Sequence, residues 1–184
     1  MPKVSQEHLD ARRAQILEGA RNAFSRFGYD GATVAKLEEE TGLSRGAIFN
    51  YFPGKKALFA ALAQDVSRRY GSLIREGGLD AAIRAMAQES PEWLGVILET
   101  QARLRHDPEF EQLMTTPEEE LAALPAWFEE QQRAGVFRQD VPPLELGRFA
   151  TMVVNGLALR VVAGDDTDVE ATIRLRHDAL GPRQ

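Results

Sequence analysis

The run from Thr33 to Phe52 constrains this chain most: Gly42 separates two apolar-spaced segments, each too short to be a stable helix alone. Thr33 can cap a first helix ending near Thr41, with Val34 and Leu37 on one face. Ser44 can cap a second, Arg45 to Tyr51, before Pro53-Gly54 breaks the chain. Two such helices need longer neighbours to pack against. Upstream, Ile16, Ala20, Ala23, Phe24 and Phe27 fall on one helical face, which predicts a helix from about His8 to Phe27 with Gly28 as a left-handed cap. Arg12 and Arg13 lie on its more polar side. Downstream, Leu58, Leu62 and Val66 step by four along a helix that starts at Lys55 and ends near Gly77.

The rest of the chain carries the same periodicity. Boundaries are expected at Gly77-Gly78, Ser90-Pro91, Asp107-Pro108, Thr116-Pro117 and Val141-Pro142-Pro143, where proline and the residue before it resist helix continuation. Pro125 either kinks or splits a helix from Glu118 to Ala134, and periodicity does not decide which. Two further helices follow, one carrying Phe149, Met152, Val153, Gly156, Leu157 and Val161, the other Val169, Ile173 and Leu180. No period-two run appears, so the expected fold is all-α with about nine helices. The expected division is a three-helix N-terminal part, residues 1–54, and a helical body, residues 55–184.

The 184 residues have 43% hydrophobic and 27% charged side chains, near the soluble globular average, which excludes disorder and fibrous repeats. The absence of cysteine excludes disulfides, thiolate metal sites and cysteine nucleophiles together. The apolar stretch Phe149–Leu159, interrupted by Thr151 and Asn155, reads as too short to span a bilayer. Met1 to His8 lacks the apolar core of a secretory signal, so the expectation is a cytoplasmic protein without a membrane partner. The net charge of −6 argues at first against a polyanion partner. Residues 1–70, however, carry eleven basic against eight acidic side chains, a local +3 that leaves −9 for the remainder. Gly42-Leu43-Ser44-Arg45-Gly46 also fits the nucleophile-elbow spacing, but no strand precedes the serine, and His106 and His177 are poorly placed as bases. An enzyme is not expected.

Thr33 to Phe52 reads as a helix-turn-helix in which Leu43 and Ile48 fill the angle between the helices and Phe52 locks the end. Arg45, Gly46, Ala47, Phe49, Asn50 and Tyr51 remain outside. A second helix of this kind enters the major groove, where Arg bridges guanine O6 and N7 and Asn reads adenine. Arg45, Gly46 and Asn50 would then specify sequence. Thr33 and Ser44 stand at helix N-termini that favour phosphate, and Lys36, Tyr51 and Lys55 are placed to clamp the backbone.

Ile16-Leu17-Glu18-Gly19-Ala20, Phe27-Gly28-Tyr29, Gly31-Ala32-Thr33-Val34, Gly42-Leu43-Ser44, Gly46 to Phe52 and Lys55-Lys56-Ala57-Leu58 resemble the N-terminal domain of the TetR family of bacterial transcriptional regulators. The likeness covers about residues 11–70. It implies a homodimer on a palindromic double-stranded DNA operator, with a small-molecule effector in the body that tilts the helix after Lys55. Phe49 stands where the family commonly has Tyr, removing one hydroxyl from phosphate contact. Glu18-Gly19-Ala20-Arg21, Glu38 to Gly42 and Leu98 to Arg105 further resemble the actinobacterial aconitase repressors of that family. This likeness suggests a polycarboxylate effector such as citrate with a divalent cation, with Arg103 as carboxylate partner and Glu99 serving the cation. Trp93 and Trp127 would form the apolar wall of the cavity, and Asn155 a polar group on it. Phe149, Met152, Val153, Gly156, Leu157 and Ile173 are the expected dimer seam. The alternative is a helical ligand- or protein-binding module without specific DNA reading.

Overall fold

The computed structural model describes residues 6–182; the segment Met1–Ser5, read above for a signal, lies outside them. Among the described residues there are nine helices and no strand. They are α1 (Gln6–Gly31), α2 (Val34–Thr41), α3 (Arg45–Phe49), α4 (Lys55–Ala87), α5 (Pro91–Leu104), α6 (Pro108–Leu113), α7 (Glu118–Arg133), α8 (Pro143–Ala163) and α9 (Val169–Leu180). The chain forms two compact units: residues up to Val66 with Gly95–Thr115, and Ser67–Leu94 with Thr116 onward. This grouping follows packing, whereas the sequence division at 54/55 follows expected function.

The first unit is built around Ile16, Ala20, Phe24, Leu37, Ile48, Leu58 and Phe59, all fully buried. Its aromatic side chains form a chain of contacts: Phe24 stacks on Tyr29 at 5.7 Å, Phe59 meets both edge-on at 5.6 and 5.4 Å, and Phe110 of α6 lies 6.2 Å beyond Phe59. Lys56 ties the same α6 down through Asp107 and Glu109, at 2.8 and 2.7 Å. α1 and α2 approach so closely at Gly19 that a Cβ there would sit 2.6 Å from Thr41 Cα. Gly28 has the expected positive φ, 68°, but the chain resumes helical hydrogen bonding through Gly31 instead of stopping at Phe27. Ile48 fills the angle between α2 and α3, while Leu43 is only half-buried. α3 ends two residues earlier than expected, leaving Asn50 and Tyr51 in the following turn.

In the second unit α4 continues past the expected end at Gly77 to Ala87, with its break at Gly78, where φ is 74°. Helix α7 runs unbroken through Pro125, which decides the open question against a split. It packs on α8, where a Cβ added at Gly147 would meet the Phe128 ring at 3.5 Å, an ordinary contact, and Trp127, Phe128 and Phe137 form an aromatic cluster. The buried Gln132 amide donates to the Arg138 and Val141 carbonyls and so closes the turn after α7 without stranding a polar group. Arg176 of α9, also buried, pairs with Asp80 of α4, and Arg84 pairs with Glu170 at 2.9 Å.

Helix α8 corrects two expectations. Leu157, and Ile173 on α9, are buried within this unit, so they belong to its own core and not to an open seam. The residues read as one face divide: Leu157 packs inward beside Leu146 and Ala150, whereas Phe149 and Met152 stay 37% and 63% exposed, with Leu159, outside the expected stripe, at 58%. The helix is also 21 residues long and contains an 18-residue window of mean hydropathy 1.4, long and apolar enough by length and composition to cross a membrane. The sequence reading counted only Phe149–Leu159 and took Thr151 and Asn155 as interruptions, but neither breaks a helix.

Candidate nucleic-acid interface

Local rules place the expected DNA contacts. Thr33 Oγ1 accepts from Lys36 N–H and Ser44 Oγ from Ala47 N–H, each at 3.4 Å, so both short helices start where the sequence put them. Gly42 adopts φ 68°, ψ 19° and closes α2 through its N–H to the Glu38 carbonyl. That turn leaves Thr33, Ser44, Arg45, Gly46 and Asn50 exposed, and Lys36, Ala47, Phe49, Tyr51 and Lys55 half-buried. Thr33, Arg45, Phe49 and Lys55 line one cleft of about 500 Å³ with Asp30 and Gly54. Lys36, Ser44, Gly46, Ala47, Asn50 and Tyr51 lie outside it.

The cations of this surface are already engaged by the protein. Lys36 Nζ bonds Glu39 at 2.8 Å and lies 4.9 Å from the Phe27 ring; the ammonium holds the Glu39 carboxyl below its ordinary range. Lys55 Nζ donates to the Tyr29 and Asp30 carbonyls at 2.8 and 3.3 Å and rests 4.7 Å over the Tyr29 ring. Burial pulls its pKa below the ordinary lysine value, with the Asp30 charge opposing that shift. Arg45 faces the Phe49 ring at 6.0 Å, and its backbone N–H donates to Glu38 Oε1 at 2.6 Å. Glu38, Tyr29 and Asp30 were not among the residues expected from sequence. Glu38 reaches α3 from seven positions upstream across the glycine turn, a relation no local capping pattern encodes.

The residues expected to form an effector cavity are divided between the two units, Glu99 and Arg103 in the first and Trp93, Trp127 and Asn155 in the second. Arg103 lies in the first unit, where its guanidinium makes a two-pronged pair with Asp30 at 2.6 and 3.1 Å and covers the Tyr29 ring at 5.1 Å. That pair holds the Asp30 carboxyl below its ordinary range. Trp93 is buried, Trp127 belongs to the Phe128–Phe137 cluster, and Glu99 and Asn155 are exposed. The clefts of about 500, 590 and 470 Å³ include none of these five side chains. Among the described residues no three His, Asp or Glu side chains come together to hold a metal. Apolar periodicity marks residues on a helix face; it does not say which faces meet.

A glycine-turned pair of short helices, capped at both starts and presenting Arg45 and Asn50 outward, defines a DNA-binding regulator of the helix-turn-helix class. The chain belongs to the tetR family of bacterial regulatory proteins, whose family model matches residues 16–62. It is 43% identical over 169 residues, 90% of each chain, to the HTH-type transcriptional repressor Rv1474c of Mycobacterium tuberculosis. It is 41% identical over 173 residues to the HTH-type transcriptional repressor AcnR of Corynebacterium diphtheriae, covering 91% of this chain and 90% of that one. Among solved structures, Salmonella enterica GusR superposes with a TM-score of 0.73 over 97% of this chain and 99% of its own, at 19% identity. That likeness confirms the fold. The chain is a DNA-binding transcriptional regulator and not an enzyme.

Proposed function

We propose that the chain acts in the cytoplasm as a homodimeric repressor whose two α3 helices read the halves of a palindromic operator, and that a small molecule releases it. The observation carrying this reading is the open apolar face of α8. Phe149, Met152 and Leu159 are exposed, and Gly156 between them meets nothing within 4 Å of an added Cβ. A five-residue α3 touches too few bases alone for specific binding, and a two-fold pair supplies two half-sites. A second copy on α8 both covers the apolar face and supplies the second reader. Arg45, Gly46 and Asn50 contact bases, Ala47 and Phe49 border them, and Thr33, Lys36, Ser44, Tyr51 and Lys55 contact phosphate. For the last group the Lys36–Glu39 pair opens as phosphate replaces the carboxylate.

The effector proposed is a polycarboxylate such as citrate. Arg103 is its receptor because the guanidinium is exposed, planar and already bound to a carboxylate in the two-pronged manner such a ligand would copy. Displacing Asp30 frees the end of α1, whose Tyr29 and Asp30 carbonyls hold Lys55. A divalent cation accompanying the citrate would be held chiefly by the ligand's own carboxylates, with Glu99 as the side chain expected to serve it. Selection from a random duplex library by the purified protein, with sedimentation of the complex, tests the repressor. An enriched palindrome bound by two copies is the expected result; an unstructured pool or a single bound copy overturns it. Citrate titrated against that complex should release it for the parent and not for Arg103→Ala. Equal responses would remove Arg103 from the effector site.

A further inference from the structure

Successive residues of a helix point about 100° apart, so the three consecutive glutamates of α2 find three different partners. Glu40 pairs with Arg26 of α1, Glu39 with Lys36 of α2 itself, and Glu38 with the backbone of α3. Glu38 differs in kind, since its acceptor oxygen meets an N–H and not a cation. The first N–H groups of α3 have no intrahelical acceptor. Ser44 Oγ takes the one on Ala47 at 3.4 Å, and Glu38 Oε1 takes the one on Arg45 at 2.6 Å. The shorter, charge-assisted cap is therefore delivered from another helix, to the backbone of the residue expected to read guanine.

Two physical consequences follow from a carboxylate in that place. The bond fixes the start of α3, and with it the Arg45 Cα, relative to α2. The charge also stands beside the face expected to meet DNA, where it repels the phosphate backbone whatever the sequence. We propose that Glu38 is a specificity-determining residue, which positions α3 for base reading while its charge lowers the attraction to DNA of every sequence. Its negative charge weakens attraction to DNA of every sequence, while its hydrogen bond preserves the alignment only the operator rewards. The ratio of operator to random binding is what it raises. This inference rests on α3 reading bases as set out above.

The two contributions separate by substitution. Glu38→Gln keeps an acceptor oxygen and removes the charge; Glu38→Ala removes both. Affinities of the parent and both variants are measured by fluorescence anisotropy for the recovered operator and a scrambled duplex of equal length, across a salt series. Thermal melting of each protein checks its folding. Glu38→Gln should bind the scrambled duplex roughly fivefold tighter at low salt, an advantage that fades as salt rises. Glu38→Ala should in addition lose about tenfold in the operator-to-scrambled ratio. Both ratios remaining within about twofold of the parent, or both duplexes weakening in parallel, would overturn the proposal. A parent that enriches no sequence would instead overturn the reading of α3 on which it rests.

Discussion

Helices α3 and α8 both leave side chains uncovered, and the chemistry they leave uncovered is opposite. The five residues of α3 present Arg45 and Gly46 with Asn50 just beyond, and both free ends of the turn are held by polar caps. The 21 residues of α8 present Phe149, Met152 and Leu159. A polar surface costs little in water while it waits for a partner, whereas an apolar one is unfavourable until covered. Thus α3 is suited to a partner met intermittently and α8 to one met continuously. Operator binding and pairing of copies are expected to fall on separate helices that can be altered independently.

The largest effect expected on that separation is at α8. Gly156→Leu meets open space within one protomer and should leave the fold intact, but it intrudes on a second copy. Sedimentation should show monomers, and operator affinity should fall about a hundredfold. Unchanged pairing would place the interface elsewhere. Next is Gly19→Ala, whose Cβ would come within 2.7 Å of the Glu40 carbonyl and Thr41 Cγ2. Thermal or urea melting should show about 1–3 kcal/mol of lost stability, because backbone has to move where α1 and α2 touch. Asn50→Ala tests α3 itself. Its operator affinity should fall by about 1–3 kcal/mol with relaxed preference at one base pair, while pairing of copies is untouched. A variant that weakened both would break the proposed independence.

The smallest effect concerns acid. Asp30, Asp107, Glu39 and Glu170 are each held below their ordinary range, first by hydrogen bonds from Arg103, Lys56, Lys36 and Arg84 respectively. A carboxyl whose folded pKa lies below its unfolded value stabilises the protein above the unfolded value, and that contribution is lost as pH falls through the folded one. These pairs should leave the melting temperature level from about pH 5 to 8 and lower it below about pH 4. They are solvent-exposed, so salt should blunt the drop.

The recognition unit was legible in sequence because its determinants are local. Thr33, Gly42, Ser44 and Pro53 act on neighbours within a few positions, and the structure places helix starts and turns where those residues require them. The body was legible as helices but not as an arrangement. Leu157 and Met152 have the same apolar character, and only the packing of α7 on α8 sends one inward and leaves the other out. Arg103 was read as a carboxylate partner from a family likeness, which says nothing of what the guanidinium meets inside this chain. Its partner Asp30 is 73 positions away, beyond any spacing rule. Glu38 was visible as one of three glutamates, and its particular task depends on a turn geometry that brings α3 back alongside α2.

Phe110 and the Lys56 pairs to Asp107 and Glu109 place part of the recognition unit's interior on a segment that follows most of α5. During synthesis α1 to α3 emerge first, yet the side chains that complete this unit's interior follow only when residues near 115 have left the ribosome. For the same reason a fragment ending after α3 should be a poor mimic of the whole, and a graft of this reading head onto another body must carry α6 with it.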